Sequence, residues 1–196
     1  MNYKDYQQSR DSAWKILIDC RVDALPVRVT AVCRQLGIHI RILATDDPRD
    51  GVSTIIGDVP YIGINRTRTP ERLRFTVAHE VGHIILGHVG RCDLVNREPS
   101  PTDNPVERAA NVFASRLLAP SCVLWGCRVR CAEDIRQLCG ISQAAAEYRM
   151  ERMRVLYQRG KFFTSPLERQ VYAAFEGFIC RHRIPADSES RPLLPR

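Results

Sequence analysis

The residues best suited to do chemistry are His79 and His83, which flank the segment Glu80-Val81-Gly82. On a helix, residues four apart lie on one face about one turn apart, so two imidazoles can bind one zinc ion. In such a His-Glu-x-x-His motif the glutamate is the general base that activates water. With five histidines in 196 residues, a chance match has a probability of only about 0.006. The motif therefore predicts a catalytic metal site with Glu80 as its base.

A catalytic zinc needs three protein ligands and one open position, so another ligand must come from elsewhere in the chain. A third histidine ten residues after the first is excluded, because that position is Val89. His88 misses this register by one residue and is interpreted as a structural histidine or one that orients a ligand. Glu107 is the favoured third ligand; the alternative is an acid that only stabilises the start of its own helix. Asn111, one turn further on, could orient a ligand.

Two helices must position these residues, and the sequence contains a helix-start signal for each of them. Thr69 and Asn104 are capping residues followed by proline, which is favoured in the first turn. We predict a helix from Thr69 to about Gly87, and a second from Asn104 that ends at 117–120. Small alanines share the face of Glu107 and would let the two helices approach closely.

The amino-terminal half predicts a small sheet beside two further helices. We expect helices over 3–20 and from Pro26 to Gly37, and strands over 38–42, 52–56 and 61–65. An antiparallel sheet packed on helices is the simplest arrangement, which gives an α+β fold followed by a helical carboxy-terminal region. The strand over 61–65 is expected at a sheet edge, where it could pair with a substrate peptide. Tyr61 is either an oxyanion donor or, more simply, an aromatic residue of that strand.

The cysteines Cys122, Cys127 and Cys131 lie close together in the chain, but their spacing does not match structural zinc sites. We interpret them as small buried hydrophobic residues. The same interpretation is given to Cys20, Cys33, Cys139 and Cys180. The segment 181–196 holds three prolines and several charges, which predicts a disordered tail.

Composition limits the class of protein. The chain is 44% hydrophobic and 26% charged, as in an ordinary globular domain. Its net charge of +7 is compatible with nucleic acid or an acidic partner, but the arginines are scattered, which indicates mostly solvated surface. No window approaches the about 18 apolar residues that cross a membrane, and the amino terminus lacks a signal-peptide pattern. We expect a cytoplasmic protein with no membrane association and with reduced cysteines.

Over roughly 24–158 the chain resembles the ImmA/IrrE family of metallo-endopeptidases. The resemblance begins at Leu25-Pro26-Val27, which leads to Leu36-Gly37-Ile38, and includes the strand end Ile64-Asn65. It is most specific in Arg74–Leu86 around the histidine motif. It continues through the stretches Glu107–Ala114 and Leu117–Pro120.

This resemblance implies a minimal zincin-like peptidase with one zinc ion, held by His79, His83 and Glu107. Manganese is the alternative metal, because this ligand set tolerates several divalent ions. The expected substrate is a helix-turn-helix transcriptional repressor of mobile-element, phage or stress-response genes. The resemblance suggests an amino-terminal helix over 1–23, a peptidase core over 24–125, a helix-turn-helix-like region over 126–180, and the tail.

Three hypotheses therefore stand at the level of sequence. The first is an active peptidase, and the presence of Glu80 favours it. The second is a regulator that binds DNA or a repressor without turnover. Direct DNA binding is less favoured, because the helix after Ser142 begins Gln-Ala-Ala-Ala-Glu and has few side chains that read bases. The third is a purely structural zinc, which the three-ligand count disfavours. The oligomeric state is not predicted.

Overall fold

A computed structural model describes residues 3–44, 46–90 and 104–185, which form nine helices and three strands. In chain order these are α1 (Tyr3–Asp19), α2 (Val29–Gln35), β1 (His39–Ile42), β2 (Gly51–Ile56), β3 (Val59–Ile64), α3 (Pro70–Ile85), α4 (Pro105–Leu118), α5 (Ser121–Gly126), α6 (Ala132–Cys139), α7 (Gln143–Arg159), α8 (Pro166–Ala174) and α9 (Glu176–His182). The α+β class is confirmed. None of the helices in these ranges is long and apolar enough to cross a membrane.

The helices α3 and α4 begin where the sequence predicts. The side chain of Thr69 accepts a hydrogen bond from the backbone N–H of Arg72 (3.4 Å), and that of Asn104 accepts one from Val106 (2.9 Å). Each cap is followed by proline in the first turn. Local capping therefore fixes the residue at which each helix begins, and this in turn fixes which of its side chains face the other helix.

Small residues bring α3 and α4 together. A Cβ added to Gly82 would lie 3.0 Å from the ring of Phe113, so only glycine allows this closeness without a shift. On α4, Ala110 and Ala114 are fully buried. The predicted close approach is confirmed, and it places the first turn of α4 beside the histidines of α3.

The sheet is mixed, and the prediction of an antiparallel sheet is wrong for one of its two pairings. Its strand order is β1-β3-β2, with β2 antiparallel and β1 parallel to β3. The antiparallel pair is a hairpin closed by Gly57 and Asp58, both with positive φ, as a two-residue turn requires. Strand β1 comes from further away in the chain, so no local signal fixed its direction. The prediction that β3 is an edge strand is also wrong, because it lies in the centre.

Several boundaries and burial predictions differ in detail. Helix α2 begins at Val29 rather than Pro26. The buried interpretation is confirmed for Cys20, Cys33, Cys122, Cys127 and Cys139. It is wrong for Cys180, which is exposed on α9, and Cys131 is only half-buried.

The carboxy-terminal helices pack on the core. Helices α6 and α7 are joined by a turn at Gly140 (φ +57°), and Ile135 and Ala146 are fully buried. The prediction of a disordered tail is wrong for its first residues, because 181 and 182 lie in α9 and the backbone N–H of Ile184 donates to the carbonyl of Cys127 (2.9 Å). The rest of that prediction, over 186–196, concerns residues outside the described ranges, and the division into domains stays a prediction.

Candidate metal centre

The helices α3 and α4 bring the side chains of His79, His83 and Glu107 together. The Nε2 atoms of the two histidines lie 2.9 Å apart. Each also lies near a carboxylate oxygen of Glu107, at 3.1 Å for His79 and 3.4 Å for His83. One ligand atom from each residue falls within 4.8 Å of the others, and this is the one such group found in the described ranges.

This donor set fits a divalent metal ion. A tetrahedral zinc with Zn–N distances of about 2.0–2.1 Å holds its ligand atoms about 3.3 Å apart, close to the distances between His79, His83 and Glu107. Two imidazole nitrogens that face each other at 2.9 Å need a cation or a proton between their lone pairs. His83 is fully buried and Glu107 is half-buried, so the set is partly screened from solvent.

The outer nitrogen of each imidazole has its own partner. The Nδ1–H of His79 donates to Oδ1 of Asn111 (3.0 Å), so its Nε2 carries the lone pair that a metal needs. The Nδ1 of His83 lies 3.2 Å from the Nδ1 of His88. Asn111 and His88 thus lie where the sequence predicts residues that orient ligands.

The end of α3 explains how His88 reaches His83. Gly87 adopts φ +74°, a conformation that glycine favours. The backbone N–H of His88 donates to the carbonyl of His83 (2.9 Å), and that of Gly87 donates to the carbonyl of Ile84 (3.2 Å). These two bonds form a Schellman turn, which folds the chain back over the last turn of the helix.

The predicted base, Glu80, is buried and held by a residue that the sequence interpretation missed. The hydroxyl of Ser53 on β2 donates to Oε2 of Glu80 at 2.6 Å. Strand β2 approaches α3 closely, because a Cβ on Gly51 would lie 2.3 Å from the side chain of Thr76. Ser53 lies between Gly51 and Ile55 on the inward face of β2, so the alternation of the strand could have identified it as a polar residue on a buried face but not as the partner of Glu80.

Tyr61 is not brought to the metal-binding residues. It pairs with Thr54 in the sheet, whereas Ser53 pairs with Ile62. Successive strand residues point to opposite faces, so Tyr61 lies on the face turned away from Glu80. Its ring stacks on His39 (5.2 Å between centroids) and lies near the guanidinium of Arg41 (5.7 Å). Of the two roles considered for Tyr61, the structure supports the aromatic residue of a strand.

Comparison with known proteins points to one family. A family model described as the IrrE N-terminal-like domain (Peptidase_M78) matches residues 33–151, more than half of the chain. The chain is also similar to the radiation response metalloprotease IrrE of Deinococcus radiodurans, with 39% identity over 66 residues. That alignment covers 31% of this chain and 20% of the relative, so the matched segment spans about a fifth of the relative's length. The family match contains the whole of α3 and α4 and therefore all three candidate ligands.

Proposed function

Since the chain belongs to the family of the IrrE N-terminal-like domain, we propose that it is a zinc-dependent endopeptidase. His79, His83 and Glu107 would hold the metal, and Glu80 would be the base. The single observation that carries this proposal is the convergence of the three donor atoms within 4.8 Å, one residue from a buried glutamate in the motif. A purely structural site would have four protein ligands, and the three found in the described ranges leave a position open.

The residues of the chain divide the chemistry between them. A zinc ion in this site would polarise the substrate carbonyl and make a nearby water more acidic. Glu80 accepts the proton of that water and passes it to the leaving amine. Ser53, by donating to Oε2, fixes one oxygen of Glu80 and leaves its carboxylate in one orientation. Asn111 and His88 hold the ligand imidazoles in the required rotation and tautomer.

We propose that the substrate peptide pairs with β2 rather than with β3. Within the described ranges β2 is bonded only to β3, so its other side is an edge. This strand carries Ser53 next to Glu80, so a peptide added there would run past the base. Backbone pairing of this kind binds an extended segment with little demand on its sequence.

The substrate itself is proposed to be a helix-turn-helix transcriptional repressor. The support is the family membership and the relative named as a radiation response metalloprotease. Direct DNA binding through α6 and α7 is not favoured, because the first turn of α7 is Gln143 followed by three alanines and offers few side chains that read bases.

The test is cleavage of a candidate repressor by the metal-loaded protein and by Glu80→Gln. We expect the variant to lose cleavage by a factor of about 100 or more while it keeps its metal, because Glu80 is not a ligand. Glu71→Gln makes the same change in the first turn of α3, away from the site, and serves as the matched control. Equal cleavage by the parent and Glu80→Gln would contradict the proposal and favour a binding role.

A further inference from the structure

A groove of about 830 Å³ runs along α4, beside the candidate ligand His79. Two of its lining residues contact the first ligand directly. The ring of Phe75 lies 6.1 Å from that of His79, and Asn111 accepts the hydrogen bond from the same imidazole. Neither Glu80 nor any of the three candidate ligands is among the described residues that line the groove. Asn111 contacts the Nδ1 of His79, whereas the Nε2 of that imidazole faces His83 and Glu107. The groove is therefore adjacent to the candidate metal centre but separate from the place where a substrate bond would be cleaved.

The walls of the groove are mostly apolar. Asn111 and Ser115 of α4 and Ala119 at its carboxy-terminal cap line it at intervals of four residues. The stretch from Asn111 to Ala119 spans about 12 Å at 1.5 Å per residue, which is the length of about three to four residues of extended peptide. The other apolar lining residues are Val112, Leu118, Ile141, Ala144, Ala145 and Tyr148.

The charges along the groove are all positive. Arg108 and Arg116 line it, and none of the described residues that line it is acidic. Arg116 is only 4% exposed. Its guanidinium donates to the hydroxyls of Ser115 (2.9 Å) and Tyr6 (3.2 Å), and it forms no ion pair with a carboxylate in the described ranges.

Two arginines of α7, Arg149 and Arg152, add to the positive charge beside the groove. The guanidinium of Arg152 lies 5.6 Å from the ring of Tyr6, and that of Arg116 lies 5.5 Å from it. Arg149 is almost fully buried, and its Nη2 has no hydrogen-bond partner among the described residues. Although burial alone would raise the pKa of Tyr6, these guanidinium groups give it a net lowering. Burying several guanidinium groups without a carboxylate has a large cost in desolvation free energy. An anion that reaches them offsets part of this cost through charge-assisted hydrogen bonds.

We propose that this groove, here called the arginine groove, binds a segment of the substrate polypeptide outside the cleaved bond and selects an acidic residue in it. The selected segment would carry an aspartate or glutamate among apolar side chains. The carboxylate would be bound by Arg116, with Arg108 at the exposed rim. This inference rests on the proposed function, because it names the substrate class of the proposed peptidase.

The test separates binding from cleavage. Random peptides, flanked at both ends by flexible linkers so that no terminal carboxylate is present, are selected for binding to zinc-loaded Glu80→Gln. We expect enrichment of one aspartate or glutamate beside apolar residues. In a selected peptide, changing the acid to its amide should weaken binding about tenfold, as loss of a charge-assisted hydrogen bond does.

Variants of the arginine groove identify the group responsible. In the same background, Arg116→Gln should abolish the preference for the acid over its amide, and Arg116→Lys should restore it in part. Because Arg116 is buried and its replacement can impair folding, Ala144→Glu gives a second test. It adds a carboxylate at an exposed position of the arginine groove and should weaken binding of the acidic peptide about tenfold. Gln143→Glu adds the same charge on the neighbouring residue, which does not line the arginine groove, and should have little effect.

Each outcome decides a different claim. If no peptide is enriched, or if acid and amide bind equally, the arginine groove does not select acids. Equal weakening by Ala144→Glu and Gln143→Glu would mean that overall charge, not the groove, is responsible. If the parent protein cleaves peptides without any acidic preference, the proposed function stands and this inference falls. If acidic peptides bind through Arg116 but the parent cleaves none, the proposed peptidase activity falls instead.

Discussion

The proposed catalytic base, Glu80, is held by a hydroxyl from another element. Ser53 is buried on β2, and its 2.6 Å hydrogen bond reaches Glu80 across the interface between the sheet and α3. A carboxylate that acts on a bound water must be held in one orientation, since small displacements lower the rate of proton transfer. We therefore place Ser53 with the site as a residue that positions the base.

Replacement of Ser53 by alanine should lower activity without removing the metal. We expect kcat to fall about 10- to 100-fold, with KM changed less, because Glu80 acts in the chemical step. Metal content and kcat of Ser53→Ala are the measurements, and Thr54→Ala is the control, since it removes a hydroxyl from the opposite face of the same strand. Loss of zinc from Ser53→Ala would contradict a role limited to Glu80.

At the residue scale, the sequence predicted the groups that share a motif or a helical face. His79, Glu80 and His83 were identified by spacing within one helix, and Asn111 by its place one turn after Glu107. Ser53 was missed because its contact joins residues 27 positions apart in the chain. Such a pair follows from the fold and not from local pattern.

Two glycines set the packing of the elements that carry the site. Gly82 lets α4 approach α3, and Gly51 lets β2 approach the same helix from the other side. In both places a side chain would meet a buried neighbour that has little room to move: Phe113 is fully buried and Thr76 is 6% exposed. The candidate metal ligands and the proposed base are therefore positioned by these close contacts as much as by their own helices.

Gly51→Ala should destabilise the protein. The new Cβ would lie 2.3 Å from Cγ2 of Thr76, and the shift needed to relieve this overlap should lower the free energy of unfolding by about 1–3 kcal/mol. Chemical denaturation of the two proteins measures the difference. Gly90→Ala, where nothing lies within 4 Å, should change stability by less than about 0.5 kcal/mol. If both variants changed the free energy of unfolding by a similar amount, β2 would not pack against α3 as closely as described.

At the element scale, helices were predicted better than the sheet. The caps at Thr69, Asn104 and Ser142 are local, and all three form in the structure. The hairpin of β2 and β3 is also local, through the turn at Gly57. The parallel pairing of β1 with β3 depends on contacts distant in the chain, so alternation of residue types could predict the strand but not its neighbour or direction.

The whole molecule decides which polar groups are buried. The arginines were interpreted as mostly solvated surface, yet Arg116 and Arg149 are 4% and 1% exposed. That interpretation is wrong for these two, because α1, α4 and α7 meet around Tyr6. The arginine groove arises from this meeting of three helices and has no signature within any one of them.

Burial should also control the reactivity of the cysteines. Burial raises the pKa of the Cys122 and Cys139 thiols to about 12. At pH 8 only about one in ten thousand of each of these thiols is therefore deprotonated to the reactive thiolate. Cys180 is exposed. We expect iodoacetamide to modify Cys180 in the native protein and to leave Cys122 and Cys139 intact, as judged by peptide mass spectrometry.

The control for this prediction is the same reaction in guanidinium chloride, where all three thiols should react. If Cys139 in the native protein reacted as fast as Cys180, the packing of α6 against the core would be wrong.

The most direct test of the central claim is the metal content of the purified protein, measured with His79→Ala, Glu107→Ala and Glu147→Ala. The last removes an exposed acid of α7 and controls for loss of negative charge. We predict about one zinc ion per chain in the parent and in Glu147→Ala, and loss of the metal from the other two variants. Full metal content in Glu107→Ala would contradict the three-ligand site, and a parent protein that binds neither zinc nor manganese would contradict the metallopeptidase account altogether.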